Sequence, residues 1–148
     1  GEATGEQAAA DPVLQDLLGL CEPGYERKRI EQFLIESLVL VPAGARLITA
    51  ADPGVGEVLQ HSQELADQGL RNQVPQTRLM VSLAREMGVV GASSFGAGWG
   101  GSVYALVPTD DAEDFASQWL QAYRDREQEA EHSSTIVTRP GTGACRML

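Results

Sequence analysis

The sequence predicts a domain of several helices that also holds two short strands joined by a glycine-rich loop. Three observations predict it. Apolar residues recur at helical spacing in successive segments from Val13 to Met87. Met87-Gly88-Val89-Val90 reads as a helix end turning into a strand, and Val103-Tyr104-Ala105-Leu106-Val107 as an apolar strand. Between them runs GASSFGAGWGG, in which Gly91, Gly96, Gly98, Gly100 and Gly101 gather where backbone must bend through φ > 0 or lie close to something.

The elements follow in order. Residues 1–10 are small and polar without period and read as a frayed leader; the folded domain is expected over 11–148. Asp11-Pro12 is a helix start, an N-cap acceptor followed by proline in the first turn. Val13, Leu14, Leu17, Leu18 and Cys21 share one face, and Pro23-Gly24 ends the helix. A longer helix is expected over Tyr25 to Val41, with Ile30, Phe33, Leu34, Ser37, Leu38 and Val41 toward the core. Arg27, Lys28 and Arg29 stand at its start, the unfavourable end for the helix dipole, either solvated or facing acidic groups or phosphate in a larger assembly. Pro42 should kink or end this helix, since it lacks a donor and clashes one turn back.

Ala45 to Ala51 continues as helix until Asp52-Pro53-Gly54 interrupts it. Val55, Val58, Leu59, Ser62, Leu65 and Ala66 mark the next helix, ending at Gly69; His61 on it is given no catalytic role. Pro75 starts another helix, with Leu79, Met80, Leu83, Ala84 and Met87 buried and Gly88 as its C-terminal cap. Beyond the glycine segment, Asp110, Asp111, Glu113 and Asp114 crowd a first helical turn, where the dipole favours them. Phe115, Trp119, Leu120 and Tyr123 form a stripe expected to pack on the sheet. Thr135-Ile136-Val137-Thr138 reads as a strand, Arg139 to Gly143 as a turn, and Ala144 to Leu148 as a last strand.

Composition narrows the function classes. The length of 148 residues suits one domain with one core. A net charge of −10 argues against nucleic acid or an anionic membrane as partner. No uninterrupted apolar run is long enough to span a bilayer, and the first residues lack a secretory signal. Cys21 and Cys145 are far apart with no metal or redox spacing, as expected for two thiols in a reducing cytoplasm.

Gly96 to Gly101 matches G-x-G-x-x-G literally. A dinucleotide site needs a helix after the glycines, and here a strand follows. A protein-kinase glycine loop does lie between strands, but Lys28 is the sole lysine and lies upstream, and neither HRD nor DFG occurs. A P-loop needs G-K-[ST], which is absent. A plain hairpin turn requires fewer glycines than these, with Ser93, Ser94 and Ser102 around them.

GASSFGAGWGGSVYALVP resembles the third motif of the GHMP sugar kinases, above all the galactokinases, where G-A-x-x-x-G-x-G-[FW]-G-G runs into an apolar strand. Trp99 stands at the aromatic position and Gly96, Gly98, Gly100 and Gly101 at the glycine positions; Ser93 and Phe95 replace the usual arginine and threonine. Glu36, His61-Ser62 and the ending VTRPGTGACRML also resemble galactokinase segments, whereas Pro42 departs from them. The resemblance implies an α+β fold of the GHMP C-terminal type: a small antiparallel sheet of ferredoxin-like kind with helices packed on one face. It implies a substrate- or nucleotide-facing loop of Gly96, Ala97, Gly98, Trp99, Gly100 and Gly101, flanked by Ser93 and Ser94.

Phosphoryl transfer needs a phosphate cradle, magnesium and a group that orients the hydroxyl. In the family the nucleotide-phosphate motif and catalytic aspartate belong to an N-terminal domain, and nothing here matches them. The resemblance therefore implies no catalytic residue and no metal site in this chain. ATP and Mg2+ would act in the complete two-domain kinase, with none expected on this chain alone. Implied partners are the missing N-terminal kinase domain and a small-molecule sugar, with a homodimer left open. The alternatives are a non-catalytic sugar-sensing or interaction module, or the C-terminal domain of another GHMP sugar kinase.

Overall fold

A computed structural model describes residues 12–20 and 22–141. They fall in two compact units, divided between Leu106 and Val107. The first holds α1 (Pro12–Gly19), α2 (Tyr25–Ile35), α3 (Val41–Thr49), α4 (Val55–Leu65), α5 (Pro75–Glu86), β1 (Gly91–Ser94) and β2 (Val103–Leu106). The second holds α6 (Ala112–Arg124). The expected class is present: α+β, with β1 and β2 antiparallel in the register Ala92↔Ala105, Ser93↔Tyr104, Ser94↔Val103, and helices α4 and α5 against β1. The expected leader, the Asp11 cap and the strand over Ala144 to Leu148 lie outside the described residues, as do the side chains of Leu14, Leu17 and Cys21.

Pro42 does not end its helix. The backbone stays helical from Tyr25 to Thr49, with a π turn over Glu36–Leu40 joining α2 to α3. At the end of that turn the Val41 N–H bonds the Glu36 carbonyl, five residues back. The bonding register thus changes immediately before the proline, so its missing donor falls at the start of α3, where it does least harm. Built this way, the run from Tyr25 to Thr49 is long and apolar enough to cross a bilayer by length and composition. No uninterrupted apolar stretch marks this run in the sequence, because Glu36 and Arg46 punctuate it.

The expected inner face of this helix is also corrected. Gln32, Ile35, Leu40 and Gly44 are buried, whereas Phe33, Leu38 and Val41 are exposed, Ile30 marginally so. Ile35 and Leu40 form a core with Leu18 of α1, surrounded by Leu34, Val39, Val58 and Leu65. An apolar period shows that a helix has a face, but two sides of this one are apolar.

Helix α4 lies against β1 through two glycines. A Cβ on Gly56 would sit 1.8 Å from the Val90 carbonyl oxygen, and one on Gly91 would sit 2.8 Å from Leu59 Cδ1. Beyond α4 a second π turn, Ala66–Leu70, ends at Arg71 with φ 54°. Helix α5 buries Thr77, Val81, Leu83 and Ala84, while the expected Leu79, Met80 and Met87 are half-buried. Gly88, at φ 78°, follows the helix as a cap.

In the second unit the acidic turn precedes and opens α6 as expected, and Ala116, Trp119 and Tyr123 are buried, with the Phe115 and Trp119 rings 5.3 Å apart. The strand expected at Thr135 to Thr138 is not formed: this stretch has no regular structure, and Ile136 is 86% exposed. A β-branched run becomes a strand only on a partner edge, and none pairs with it among the described residues.

Candidate functional site

The glycine loop connects β1 to β2. Its neck is closed by the Phe95 N–H donating to the Ser102 carbonyl at 2.8 Å. Within it, Gly96, Gly98, Trp99, Gly100 and Gly101 all have positive φ, at 77°, 77°, 60°, 105° and 92°. Four of those positions are glycine, which enters this region without steric penalty; Trp99 does not, and its indole stands 71% exposed. Among the described residues the N–H groups of Gly96, Ala97, Gly98, Gly100 and Gly101 take no hydrogen-bond partner. A bend that presents several unpaired N–H donors suits phosphate or hydroxyl oxygens.

Asn72 holds the loop in place. It precedes α5, and its Nδ2 donates to the Ala97 carbonyl at 2.8 Å while its own carbonyl accepts the Trp99 N–H. A Cβ on Gly98 would meet Asn72 Nδ2 at 2.5 Å, so the loop also needs glycine there for space. Asn72 is itself held: Gln73 Nε2 donates to its Oδ1 at 2.9 Å, and Gln63 Nε2 donates to Gln73 Oε1 at 3.0 Å. Thr77 Oγ1 donates to the same Gln73 oxygen at 3.1 Å. Gln63 Oε1 then accepts Ser93 Oγ–H at 2.9 Å and the Ser94 N–H at 2.8 Å. Three buried amide side chains thereby tie α4, the start of α5, β1 and the loop together. Buried amides need every donor and acceptor matched, so the chain of bonds specifies one loop position.

The sequence-predicted residues divide in two. Gly96, Ala97, Trp99 and Gly101 are exposed and Gly98 and Gly100 half-buried, so the structure brings these six together on one open loop. Ser94 is half-buried in β1, and Ser93 is buried with its hydroxyl committed to Gln63. Gln63, Asn72 and Gln73 were missed. Their signal was weak: a polar Arg-Asn-Gln run just before the helix-starting Pro75, which reads as an ordinary turn.

Beside the loop, Phe95 meets Tyr104 edge-on, with ring centroids 6.1 Å apart. Burial pushes the Tyr104 hydroxyl above its ordinary pKa; a hydrogen bond with Ser93 lowers it somewhat, and Glu36 raises it. Glu36 Oε1 accepts Ser62 Oγ–H at 2.8 Å, and its buried Oε2 has no partner among the described residues. No group of three or more His, Cys, Asp or Glu among the described residues is placed to hold a metal ion. A separate open cleft of about 550 Å³ lies between α4 and α5, where Arg78 Nε donates to Asp67 at 2.7 Å; no loop residue lines it.

Residues 53–125 match the family model described as GHMP kinases C terminal. Residues 53–125 thus resemble the C-terminal part of GHMP kinases, and the chain resembles galactokinases. It is 27% identical over 154 residues to the galactokinase of Mycobacterium tuberculosis (strain H37Ra), covering 97% of this chain and 42% of that protein. The galactokinase of Mycobacterium bovis (strain BCG / Pasteur) is likewise 27% identical over 153 residues, with the same coverage. The chain thus spans about two fifths of the length of the curated relatives it matches. The fold resembles that of Lactococcus lactis galactokinase complexed with galactose, with a TM-score of 0.67 at 22% identity, over 82% of this chain and 30% of that one. The glycine loop of the GHMP-like chain falls inside the matched segment, and so do Gln63, Asn72 and Gln73.

Proposed function

We propose that this chain is the C-terminal, substrate-side domain of a cytoplasmic galactokinase-like sugar kinase. In that reading the complete polypeptide transfers phosphate from ATP to a sugar hydroxyl, with Mg2+, and an N-terminal domain supplies the catalytic aspartate and the nucleotide-phosphate motif. The observation that carries the proposal is the open loop Gly96 to Gly101, with five N–H groups unpaired among the described residues and its position held by Asn72. Such donors can face the sugar or the phosphates as negative charge develops during transfer. Ser93 and Ser94 support the loop from β1. The 148-residue chain alone is expected to show no sugar-dependent ATP turnover in a coupled assay with galactose and Mg2+. Robust turnover by the purified chain overturns this assignment of roles.

A second reading rests on Ser93. Its hydroxyl is buried on Gln63, and the exposed Phe95 adds only apolar surface. No charged side chain therefore stands at either position, which suits a non-catalytic sugar-sensing or interaction module. Isothermal titration of several sugars into the complete polypeptide, alongside turnover, separates the two: binding without turnover favours the module.

A further inference from the structure

Phe95 opens the glycine loop, and its ring is 66% exposed. Its position is nonetheless fixed. The Phe95 N–H closes the loop neck on the Ser102 carbonyl at 2.8 Å, and the ring meets Tyr104 edge-on at an interplanar angle of 87°. Tyr104 is half-buried on β2, and its hydroxyl hydrogen-bonds with Ser93, which is buried and donates to Gln63 in turn. The ring therefore stands at the end of the same chain of bonds that holds the loop, and a ligand that covers it gives up little of its binding energy to ordering it. Directly after it come Gly96, Ala97 and Gly98, whose N–H groups have no hydrogen-bond partner among the described residues. An apolar ring and a row of donors thus lie side by side on one loop.

We propose that Phe95 is the apolar platform of the acceptor site, stacking on the C–H face of a hexopyranose while the loop N–H groups bond its oxygens, an inference that rests on the kinase reading above. The face of an aromatic ring is negative and attracts the slightly positive hydrogens of a C–H patch. A pyranose brings such a patch and hydroxyl oxygens together within one ring, which matches an aromatic ring with amides beside it on the backbone. A nucleotide fits less well, because a ribose separates its flat base from its phosphates, whereas Phe95 is joined directly to Gly96. The stacking also sets the class of acceptor. It should be a hexose with an unbroken C–H face, as galactose has across its third, fourth and fifth carbons. A hexose with an axial hydroxyl in that face should be rejected, because the hydroxyl would lose water against the ring and gain no partner. Phe95 in this account determines specificity and takes no part in moving the phosphoryl group.

The test uses the complete polypeptide as the parent and its Phe95→Ala and Phe95→Tyr variants, each checked for folding by circular dichroism. KM and kcat are measured for galactose and for ATP, and sugar binding is measured by isothermal titration. Phe95→Ala is expected to raise the galactose KM about tenfold, the size of one lost aromatic contact, with kcat and the ATP KM unchanged. Phe95→Tyr keeps the ring face and should match the parent. In titrations the parent should prefer galactose to gulose, whose third hydroxyl is axial in the stacked face, and Phe95→Ala should narrow that preference. A galactose KM that Phe95→Ala leaves unchanged overturns the proposal, as does a rise confined to the ATP KM or a Phe95→Tyr variant as impaired as Phe95→Ala. A parent that binds gulose as tightly as galactose, or binds neither, overturns it without recourse to any variant. Parent turnover with a galactose KM indifferent to Phe95 refutes the platform and leaves the kinase reading intact. Galactose binding without turnover by the parent, weakened about tenfold in Phe95→Ala, refutes the kinase reading and upholds the platform.

Discussion

Replacing Gly98 with alanine tests whether Asn72 sets the loop. Two penalties combine at this position. The backbone sits at φ 77°, a region that costs a residue with a Cβ about 1 to 2 kcal/mol. The new Cβ would also lie 2.5 Å from Asn72 Nδ2 and 2.6 Å from its Cγ and carbonyl oxygen. Asn72 cannot yield freely, because it bonds Ala97, Trp99 and Gln73 at once. Moving it breaks two or three hydrogen bonds at a net cost of about 1 kcal/mol each. Gly98→Ala is therefore expected to destabilise the protein by about 3 to 5 kcal/mol. Gly96→Ala is the control: it has the same φ of 77° and open space around its Cβ, so only the backbone penalty applies. The difference, about 2 to 3 kcal/mol from those broken bonds, is read as a shift of the urea midpoint by far-ultraviolet circular dichroism. In an Asn72→Ala background the side-chain clash is gone while the clash with the residue-72 carbonyl oxygen stays, so the difference between the two substitutions should shrink without vanishing, as a double-mutant cycle would register. If Gly98→Ala and Gly96→Ala differ by less than about 0.5 kcal/mol in the parent chain, the usual margin for non-interacting sites, Asn72 does not constrain the loop.

Two further outcomes follow from the same region. Gln63→Leu strands the Ser93 hydroxyl and the Ser94 N–H and removes a donor from Gln73, so thermal or urea unfolding should show a loss of about 2 to 4 kcal/mol; a loss under about 0.5 kcal/mol, the range of ordinary surface substitutions, would mean that the amide chain carries no stability. Tyr104 bears on the alkaline limb of stability. Burial, with Glu36 adding to it, raises its folded pKa, so the unfolded chain releases this proton first. The stability contribution is complete below the unfolded value near 10 and is lost as pH rises through the raised folded value. Tyr104→Phe should flatten that decline above about pH 10, the unfolded tyrosine value, and an unchanged slope in urea titrations there would count against burial as the cause.

The loop was legible in the sequence because its backbone requirement is a residue requirement. Gly96, Gly98, Gly100 and Gly101 lie at positive φ, and only glycine enters that region without penalty. The strand at Val103 to Leu106 was legible as an apolar run beside turn residues, whereas its partner forms over Gly91–Ser94, inside the stretch that reads as loop and not over Val89-Val90, because pairing with Val103–Leu106 decides it. Helix starts at Pro12 and Pro75 and the break at Asp52-Pro53-Gly54 are likewise local chemistry. What the sequence could not reveal depended on neighbours distant along the chain. Helix α2–α3 is apolar on both sides, and only packing of Ile35 and Leu40 against α1 and α4 decided which side is inside. Pro42 alone argued for a break, and the π turn before it removed that argument by shifting the register of bonds.

The sequence by itself determined where the chain bends, where its helices start, and which family its glycine motif resembles, because each depends on the covalent character of a few adjacent residues. Only the tertiary structure decided that Asn72, Gln73 and Gln63 hold the loop, that Ser93 turns inward, and that Thr135 to Thr138 pairs with no strand among the described residues. A hydrogen bond between residues 25 or 30 positions apart has no local signature, since a glutamine reads the same on a solvated face as at the centre of a buried network.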